Sequence, residues 1–293
     1  MNVDCNVLMH STGVKTRWVS GDYAARIPGP IIPQQRHLTS LTKALMNSDS
    51  VETLSYSVVI PCYNEGDNIA DLVAEVVVAG GARKDYEIIL IDDASTDHTL
   101  DKLRELKRSY PSLRVIRHAL NRGQSAALCT GVAAARGTWI ATLDGDGQND
   151  PADIPNLLAE ATRLSPKHAT LIVCGHRTRR RDTFVRRFSS RIANSVRARI
   201  LGDATPDTGC GLKVLSRKTF MQLPHFNHLH RFLPALVQRA GGHSVSVPVN
   251  HRPRLHGYSK YGIGNRLWVG IVDLFGVSWI ISRRFKLSGI EEL

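Results

Sequence analysis

Short apolar runs alternate with amphipathic segments along most of the chain after residue 54. The apolar runs are rich in valine, isoleucine and aromatic residues, whereas the segments between them carry apolar residues at helical spacing. Strands that alternate with helices about every 30 residues are typical of βαβ units. The pattern therefore predicts an α/β fold with a mostly parallel central sheet flanked by helices. The predicted strands are 56–60, 86–91, 113–116, 139–143, 171–174, 212–215 and 245–249.

The strand predicted at 139–143 ends abruptly in two aspartates, Asp144 and Asp146, separated by one glycine. Ligands of open α/β sheets bind where the strands end. Mg²⁺ or Mn²⁺ is commonly held by one or two carboxylates, and phosphates and water complete its coordination. An acidic, glycine-rich turn that merely closes a strand is the alternative. The apolar strand before the pair and the Gln-Asn-Asp-Pro sequence after it favour a site for a cation and a diphosphate.

The formal net charge of +12 predicts an anionic partner: nucleic acid, a phosphate-bearing substrate or a membrane surface. The charge is concentrated between residues 175 and 199, where nine arginines accompany a single acid, Asp182. Apolar residues interleave there at spacings compatible with an amphipathic helix. Such a run can be an ordinary solvated face. Its large excess of arginine nevertheless favours contact with phosphate or anionic lipid.

The domain organisation and the cellular setting follow from the ends of the chain and from its cysteines. We expect residues 1–54 to be a flexible N-terminal extension, 55–265 to be the α/β domain and 266–285 to be an apolar, membrane-associated helix. The five cysteines are scattered and form no C-x-x-C pair, which favours reduced thiols in a cytosolic setting. Residues 1–21 also lack the apolar stretch of a signal peptide.

The stretch 267–281 is the most apolar part of the chain, but it is shorter than the ~20 residues of a spanning helix. Trp268, Phe275 and Trp279 with basic flanks indicate an interfacial helix at the cytoplasmic face of a membrane. A core helix is the alternative. Asp273 in the middle of this stretch is unusual both for an interfacial helix and for a core helix. A homo-oligomer could shield this acid, so the oligomeric state is left open.

Six motifs together resemble the family-two inverting glycosyltransferases, in particular the dolichol-phosphate mannosyltransferase branch that makes polyprenyl-phosphate sugars. The resemblance covers residues 55–284. It implies a GT-A type fold, a nucleotide-diphosphate sugar such as GDP-mannose or a UDP-sugar as donor, and a polyprenyl or dolichyl phosphate as acceptor in cell-envelope glycan assembly. It also implies Mg²⁺ or Mn²⁺ as cofactor. The motifs are SVVIPCYNE, LIDDASTDHT, NRGQSAAL, LDGDGQNDP, DTGCGLKV and HRPRLHGYSKYG.

The same resemblance implies roles for individual residues. The nucleotide-contacting residues would be Pro61, Tyr63, Glu65, Asp92, Asp93 and Asp144. The metal and diphosphate site would be Asp144, Asp146 and Gln148. The acceptor phosphate would meet Arg177, Arg187 and Ser190, with Arg186 or Arg191 as substitutes for an arginine, and the basic loop of Arg254, Ser259 and Lys260. The residues closest to the chemistry would be Asp146, Arg187 and Lys260. The family often has alanine where this chain has Gly145, which should loosen the turn without removing a ligand.

Two other functions compete with a lipid-phosphate acceptor. A saccharide or protein hydroxyl would need a carboxylate base, for which Asp207 is the candidate, whereas a lipid phosphate is already nucleophilic and needs none. A basic nucleic-acid-binding protein would explain the charge. It would not explain acids at two strand ends, which repel phosphodiesters, so we expect no nucleic-acid partner. A dinucleotide-binding dehydrogenase is disfavoured because no G-x-G-x-x-G follows the first strand.

Overall fold

The structure is a computed structural model that describes residues 54–177, 197–203, 205–253 and 263–283, with the backbone alone for 263–269. The predicted N-terminal extension, except for its last residue, lies outside this part of the chain. So do most of the arginine-rich segment and the basic loop that follows residue 253. The predicted roles of Arg187, Ser190, Arg254, Ser259 and Lys260 fall in these segments and stay predictions.

Strands and helices alternate along the described residues much as the sequence predicts. The strands are β1 (Tyr56–Cys62), β2 (Tyr86–Asp92), β3 (Leu113–Arg117), β4 (Trp139–Thr142), β5 (Leu171–Arg177), β6 (Lys213–Ser216) and β7 (His243–Val249). The α-helices are α1 (Ile69–Gly80), α2 (Thr99–Ser109), α3 (Gln124–Ala134), α4 (Ile154–Leu164), α5 (Arg217–Gln222), α6 (Leu233–Arg239) and α7 (Ile263–Ser282). Short 3₁₀ turns lie at Pro151–Asp153 and Leu229–Arg231.

The strands form one sheet in the order β3-β2-β1-β4-β6-β5-β7. Neighbouring strands are parallel except at β6, which lies antiparallel between β4 and β5. The prediction of a mostly parallel sheet is confirmed. Strand β1 has β2 on one side and β4 on the other, so the order in which the strands are added reverses at this point. Ligands of open sheets bind at the carboxyl ends of the strands beside such a reversal.

Helices cover both faces of the sheet, which explains why its central strands are apolar almost throughout. Val58 and Ile60 of β1 belong to the core cluster that includes Leu72 of α1. Val59, which points to the opposite face, belongs to the cluster that includes Leu128 of α3. All these side chains are at most 3% exposed. The sheet is therefore a rigid support for the loops at its carboxyl edge.

Helix α7 is buried on one side only. Val277 is buried in the same core cluster as α6, and Arg239 of α6 donates from Nε to the carbonyl oxygen of Ile280 at 2.8 Å. Phe275 and Trp279 on the other side are 65% and 62% exposed. In the described residues no helix combines the length and the apolar character that crossing a membrane requires. The helix thus presents an apolar surface while its other side anchors it to the domain.

The acid in the middle of α7 has its partner within the same chain. An oxygen of Asp273 lies 2.8 Å from Nδ1 of His228. His228 adopts a left-handed backbone conformation, with φ of 66°, just before the 3₁₀ turn Leu229–Arg231. Another subunit is therefore not needed to shield Asp273.

Candidate active site

The carboxyl ends of β1 and β4 lie side by side and bring the predicted acids next to the first loop. The two strands pair in parallel from Tyr56 with Trp139 onward. The amide of Leu143 extends this pairing by donating to the carbonyl oxygen of Val59 at 3.1 Å. The chain then turns through Asp144 and the residues that follow it. Asp144 consequently stands at the switch point that the strand order marks.

Two glycines let the backbone approach this acid closely. A Cβ atom on Gly145 would lie 3.0 Å from the carbonyl oxygen of Pro61. A Cβ atom on Gly211, in the loop before β6, would collide with the carboxylate of Asp144. The carboxylate therefore occupies the space that a side chain at residue 211 would need. Gly145 thus lets the turn lie close to the end of β1, and Gly211 leaves room for the carboxylate of Asp144.

The carboxylate of Asp144 is in an environment that disfavours its charge. Gln124 donates to its Oδ1 from Nε2 at 2.8 Å. Burial and the neighbouring charge of Asp146 raise the pKa of Asp144 to about 6, although Lys213 and Arg177 act in the opposite direction. The two acids are thus close enough to repel each other. A divalent cation between them would remove this repulsion.

The donors around this turn fit a magnesium or manganese ion whose remaining ligands come from substrate. The described residues contain no cluster of three or more histidines, cysteines and acids that could hold a metal by itself. Two carboxylates with water and phosphate are the usual protein contribution to a Mg²⁺ site. Asp146 also accepts a hydrogen bond from the amide of Gln148 at 3.1 Å, which fixes the turn. Asp144, Asp146 and Gln148 therefore belong to one turn, and their role at a metal stays a prediction.

The second predicted acid pair, Asp92 and Asp93, lies at the end of β2, and the two carboxylates have different hydrogen-bond partners. Asp93 accepts hydrogen bonds from the amides of Arg122 and Gly123, at 2.9 and 2.7 Å. It also lies 2.7 Å from Nδ1 of His118. With both oxygens used by the protein, Asp93 organises the loop before α3. We therefore revise its expected nucleotide contact to a supporting role.

Asp92 ends β2 with its side chain fully buried. Its Oδ1 accepts from the amide of Ser95 at 3.0 Å. Its Oδ2 has only the guanidinium of Arg117 at 3.5 Å and no hydrogen bond among the described residues. Buried polar atoms are rarely left in this state. The predicted contact of Asp92 with the nucleotide stays a prediction.

The loops after β1 and β2, which contain the predicted Tyr63 and Glu65, are joined to each other. The amide of Asn64 donates to Oγ of Ser95 at 2.9 Å, and the amide of Thr96 donates to Oδ1 of Asn64 at 2.8 Å. The amide of Glu65 donates to Oγ1 of Thr99 at 2.9 Å. These bonds make one wall beside the switch point, where the sequence predicts the nucleotide.

A buried ion pair joins two residues for which competing roles are predicted. Arg177 donates to Asp207 from Nε at 2.7 Å and from Nη2 at 2.8 Å, and its amide adds a bond at 3.2 Å. The side chains are only 12% and 7% exposed. A carboxylate held by both oxygens in this way is a weak proton acceptor, because the ion pair favours its charged form. The geometry thus argues against Asp207 as a general base.

A cavity of about 310 Å³ opens beside Asp144 and extends toward α3 and α6. Three of its polar residues, Lys213, His230 and Arg231, have no role among the predictions from the sequence. Lys213 belongs to a quoted motif, and a lysine inside the apolar strand β6 was a usable signal. The sequence around His230 and Arg231 contains no such signal. The spacing of the histidines there matches no set of metal ligands. The described residues that line it are Pro61, Gln124, Leu128, Thr142, Leu143, Asp144, Thr208, Gly209, Cys210, Gly211, Lys213, His230, Arg231 and Leu233.

The profile of glycosyl transferase family 2 matches residues 57–223 of the chain. This chain belongs to glycosyl transferase family 2. A dodecaprenyl-phosphate galacturonate synthase of Rhizobium johnstonii is 37% identical over 243 residues, which cover 82% of this chain and 70% of that protein. An undecaprenyl-phosphate 4-deoxy-4-formamido-L-arabinose transferase of Edwardsiella ictaluri is 35% identical, over 71% of this chain and 63% of that protein. The chain thus spans less than two thirds of this second relative. The predicted family and enzyme class are confirmed: the chain is a glycosyltransferase.

Solved structures confirm the GT-A type fold of this glycosyltransferase. A mannosyltransferase from Pyrobaculum calidifontis, in complex with GDP-Man and Mn²⁺, superposes with a TM-score of 0.56 at 17% identity and covers 85% of this chain and 72% of its own. A glucosyl-3-phosphoglycerate synthase from Mycobacterium tuberculosis, in complex with Mn²⁺, UDP-Glc and glycerol 3-phosphate, superposes with a TM-score of 0.54 at 18% identity over 89% and 88% of the two chains. Structural neighbours of this fold therefore bind a divalent metal together with a nucleotide sugar.

In this glycosyltransferase the chain returns to the acidic turn just before its basic loop. Arg252 donates from Nη1 to both oxygens of Glu75 on α1 at 2.7 Å, and its Nη2 lies 2.7 Å from Oδ1 of Asp150. Its amide donates to the carbonyl oxygen of Gln148 at 3.0 Å. The described segment 205–253 thus lies, near its end, directly against the loop of Asp144 and Asp146.

Proposed function

We propose that this glycosyltransferase moves a sugar from a nucleotide-diphosphate sugar to the phosphate of a polyprenyl phosphate, with inversion at the anomeric carbon. The arrangement of Asp144 and Asp146 beside a cavity at the switch point carries this proposal. The relatives support the acceptor, since the names of both describe sugar transfer on dodecaprenyl or undecaprenyl phosphate. Their sugars differ, so the relatives leave the sugar open.

Asp144, Asp146 and Gln148 would hold Mg²⁺ or Mn²⁺. When bound, such a cation neutralises negative charge on the departing diphosphate. By holding this cation, the two acids would fix where the diphosphate end of the donor lies at the carboxyl edge of β4. The joined loops after β1 and β2 place the nucleoside, with Pro61, Tyr63, Glu65 and Asp92 as the contacting residues. The sugar then points into the cavity beside Asp144.

The acceptor is a phosphate because the described part of the site offers cations, whereas its candidate base, Asp207, is held in an ion pair. An oxygen of the lipid phosphate forms a bond with the anomeric carbon, while the bond from this carbon to the diphosphate breaks and the nucleoside diphosphate leaves. A phosphate monoester has a second pKa of about 6, so at neutral pH its attacking oxygen needs no proton removed. Asp207 is committed to Arg177, which disfavours a hydroxyl acceptor. Arg187, Ser190, Arg254, Ser259 and Lys260 complete the proposed phosphate site from their sequence positions.

The enzyme acts as a peripheral protein at the cytoplasmic face of the membrane. The exposed side of α7 offers Val272, Phe275 and Trp279, which are at least half exposed. The guanidinium of Arg283 lies 5.8 Å from the ring centre of Trp279, at the end of the helix. An apolar face with basic residues beside it binds an anionic bilayer surface through both burial and charge.

Product analysis tests the proposed reaction. The purified full chain is incubated with Mn²⁺, UDP- and GDP-sugars and either a polyprenyl phosphate or the matching free polyprenol in detergent micelles. We expect a new lipid with the mass of the polyprenyl-phosphate sugar, and none from the polyprenol. A product from the polyprenol alone would show that the acceptor is a hydroxyl.

A further inference from the structure

A buried histidine without a predicted role, His118, connects the end of β2 to the middle of α3. Its side chain is 9% exposed. Nδ1 lies 2.7 Å from Oδ1 of Asp93, and Nε2 lies 2.9 Å from Oγ1 of Thr130. The amide of His118 donates to the carbonyl oxygen of Asp92 at 2.9 Å. Since the amide and both ring nitrogens have partners, the ring is held in one orientation.

Asp93 carries this restraint to the start of α3. A carboxylate oxygen only accepts, so Nδ1 of His118 is the donor of the bond between them. The two oxygens of Asp93 also accept from the amides of Arg122 and Gly123. Gly123 precedes the helix with φ of 84° and has no side chain that could cap it. The direction in which α3 begins is therefore set by Asp93, whose own position depends on His118.

The first residue of α3 reaches the acidic turn of the site. Gln124 donates from Nε2 to Oδ1 of Asp144 at 2.8 Å. The body of the helix packs closely on β1, since a Cβ atom on Gly131 would collide with the side chain of Val59. Close packing thus fixes the helix body, and the bonds to Asp93 fix its start. Loss of these bonds would displace Gln124 while the rest of α3 stays in place.

We propose that His118 is a positioning residue of this active site, which acts through Asp93 and the start of α3 to hold Gln124 against Asp144. The inference rests on the proposed function and deepens its metal site, since Asp144 would bind the cation together with Asp146. Hydrogen bonds to a metal-binding carboxylate orient it, and their loss typically costs about 10- to 100-fold in metal affinity or activity. The effect of His118 would pass through Gln124, whose bond to Asp144 is the last of this series.

The two ring nitrogens of His118 allow a positioning role to be separated from simple packing. Nδ1 faces Asp93 on the path to Gln124, whereas Nε2 faces Thr130 on a later turn of α3. A ring that only filled the core would need both bonds alike. A positioning residue needs the bond to Asp93, and the bond to Thr130 adds mainly to stability.

Two substitutions at this position test the proposal. The side-chain amide of asparagine reaches about as far as Nδ1 of histidine, and that of glutamine about as far as Nε2. His118→Asn therefore keeps the bond to Asp93, and His118→Gln keeps the bond to Thr130. Calorimetry of the full chain with Mn²⁺ and UDP or GDP measures the metal affinity. We expect His118→Gln to weaken Mn²⁺ binding at least about 10-fold, and His118→Asn and the control Thr130→Val to stay within about 3-fold of wild type.

Gln124 and the loop before α3 give two further readouts. Gln124→Met should weaken Mn²⁺ binding by a similar factor, and His118→Gln should add little in that background, because changes that act through one contact are not additive. Without metal, hydrogen exchange at the amides of Arg122 and Gly123 should be faster in His118→Gln and unchanged in His118→Asn. Thermal melting confirms that each variant is folded. Because Gln124 is exposed, Gln124→Met tests the last contact even if His118→Gln does not fold.

Other outcomes contradict the inference in recognisable ways. Equal losses of Mn²⁺ affinity in His118→Asn, His118→Gln and Thr130→Val would show that the ring only supports the core. Wild-type Mn²⁺ affinity in folded His118→Gln or in Gln124→Met would remove the path to Asp144. An equal loss of nucleotide affinity without Mn²⁺ in His118→Gln would place the effect at the nucleoside and overturn the inference as well. A hydroxyl acceptor in the product analysis would overturn the proposed function and leave this inference standing, because metal binding is measured without an acceptor.

Discussion

The guanidinium of Arg177 holds both carboxylate oxygens of Asp207, at 2.7 and 2.8 Å, at the end of β5. Each residue had a separate role in the sequence-based hypotheses, one as a phosphate-binding cation and the other as a base. In the structure they neutralise each other beside Asp144. The pair therefore shapes the site, and the chemistry has to be carried by the groups around it.

Breaking this pair should affect stability strongly. Arg177→Met leaves the buried carboxylate of Asp207 without its counter-charge, and removing one partner of a buried pair costs about 3–5 kcal/mol. Urea denaturation should show this loss in the free energy of unfolding. Arg83→Met is a suitable control, because its pair with Asp85 is exposed and worth at most about 1 kcal/mol. Equal losses in both variants would contradict the structural role of the pair.

The space beside Gly211 should be needed for activity. In Gly211→Ala the new methyl group collides with the carboxylate of Asp144, which must then move away from its position at the end of β4. We expect Mn²⁺-dependent turnover to fall by at least about 10-fold, since small displacements at a reacting centre are costly.

The matched control for this variant lies on α7. A Cβ atom on Gly276 meets nothing within 4 Å, so Gly276→Ala should keep full activity. It should also raise the stability by about 1 kcal/mol, because alanine favours the helix over glycine. Unchanged turnover in Gly211→Ala would show that the carboxylate does not need its observed position.

The neutral state of His230 should make stability depend on pH. Its pKa is about 3 in the folded chain and 6.5 as the reference value, so the unfolded chain binds more protons between these values. Stability should therefore fall as the pH drops from 6.5 toward 3, by at most about 1.4 kcal/mol per pH unit from this group. His230→Gln should flatten the curve in this window. The exposed His98→Gln serves as control, and identical curves for wild type and His230→Gln would contradict the prediction.

The exposed side of α7 should bind membranes. Phe275→Glu and Trp279→Glu replace apolar contact area with charge and should abolish most co-sedimentation with vesicles that contain anionic lipid. High salt should weaken the binding of the wild type, because part of it is electrostatic. Val78→Glu on α1 is the control, as Val78 is 79% exposed but lies on another helix. Equal vesicle binding by Phe275→Glu and wild type would exclude α7 as the attachment surface.

The fold could be predicted from sequence because strand and helix patterns are local, and the acids at strand ends could be found for the same reason. Asp144 and Asp146 follow an apolar strand, and the topology then brings them beside Pro61. Contacts between residues that are far apart in the sequence could not be predicted from such local patterns. Nothing local shows that Arg177 pairs with Asp207, or that Asp93 uses its oxygens on amides 29 and 30 residues away.

The direction of strand β6 and the burial of two cations could not be predicted from the sequence, for physical reasons. The residues of β6 do not indicate whether the strand runs parallel or antiparallel to its neighbours. Its antiparallel direction is set by its place in the sheet between β4 and β5. Lys213 and Arg231 look like surface cations in the sequence, since charged residues are rarely buried. The fold nevertheless places both in the lining of the cavity beside Asp144.

The central claim is transfer to a lipid phosphate at Asp144 and Asp146 without a general base. The most direct measurement is turnover of wild type, Asp146→Asn and Asp207→Asn with polyprenyl phosphate and Mn²⁺, corrected for the folded fraction of each variant. The account predicts that Asp146→Asn loses at least about 100-fold in rate because the leaving diphosphate is no longer neutralised, while Asp207→Asn stays within about 10-fold of wild type. Loss of turnover in folded Asp207→Asn, with Asp146→Asn still active, would contradict it and identify Asp207 as the base for a hydroxyl acceptor.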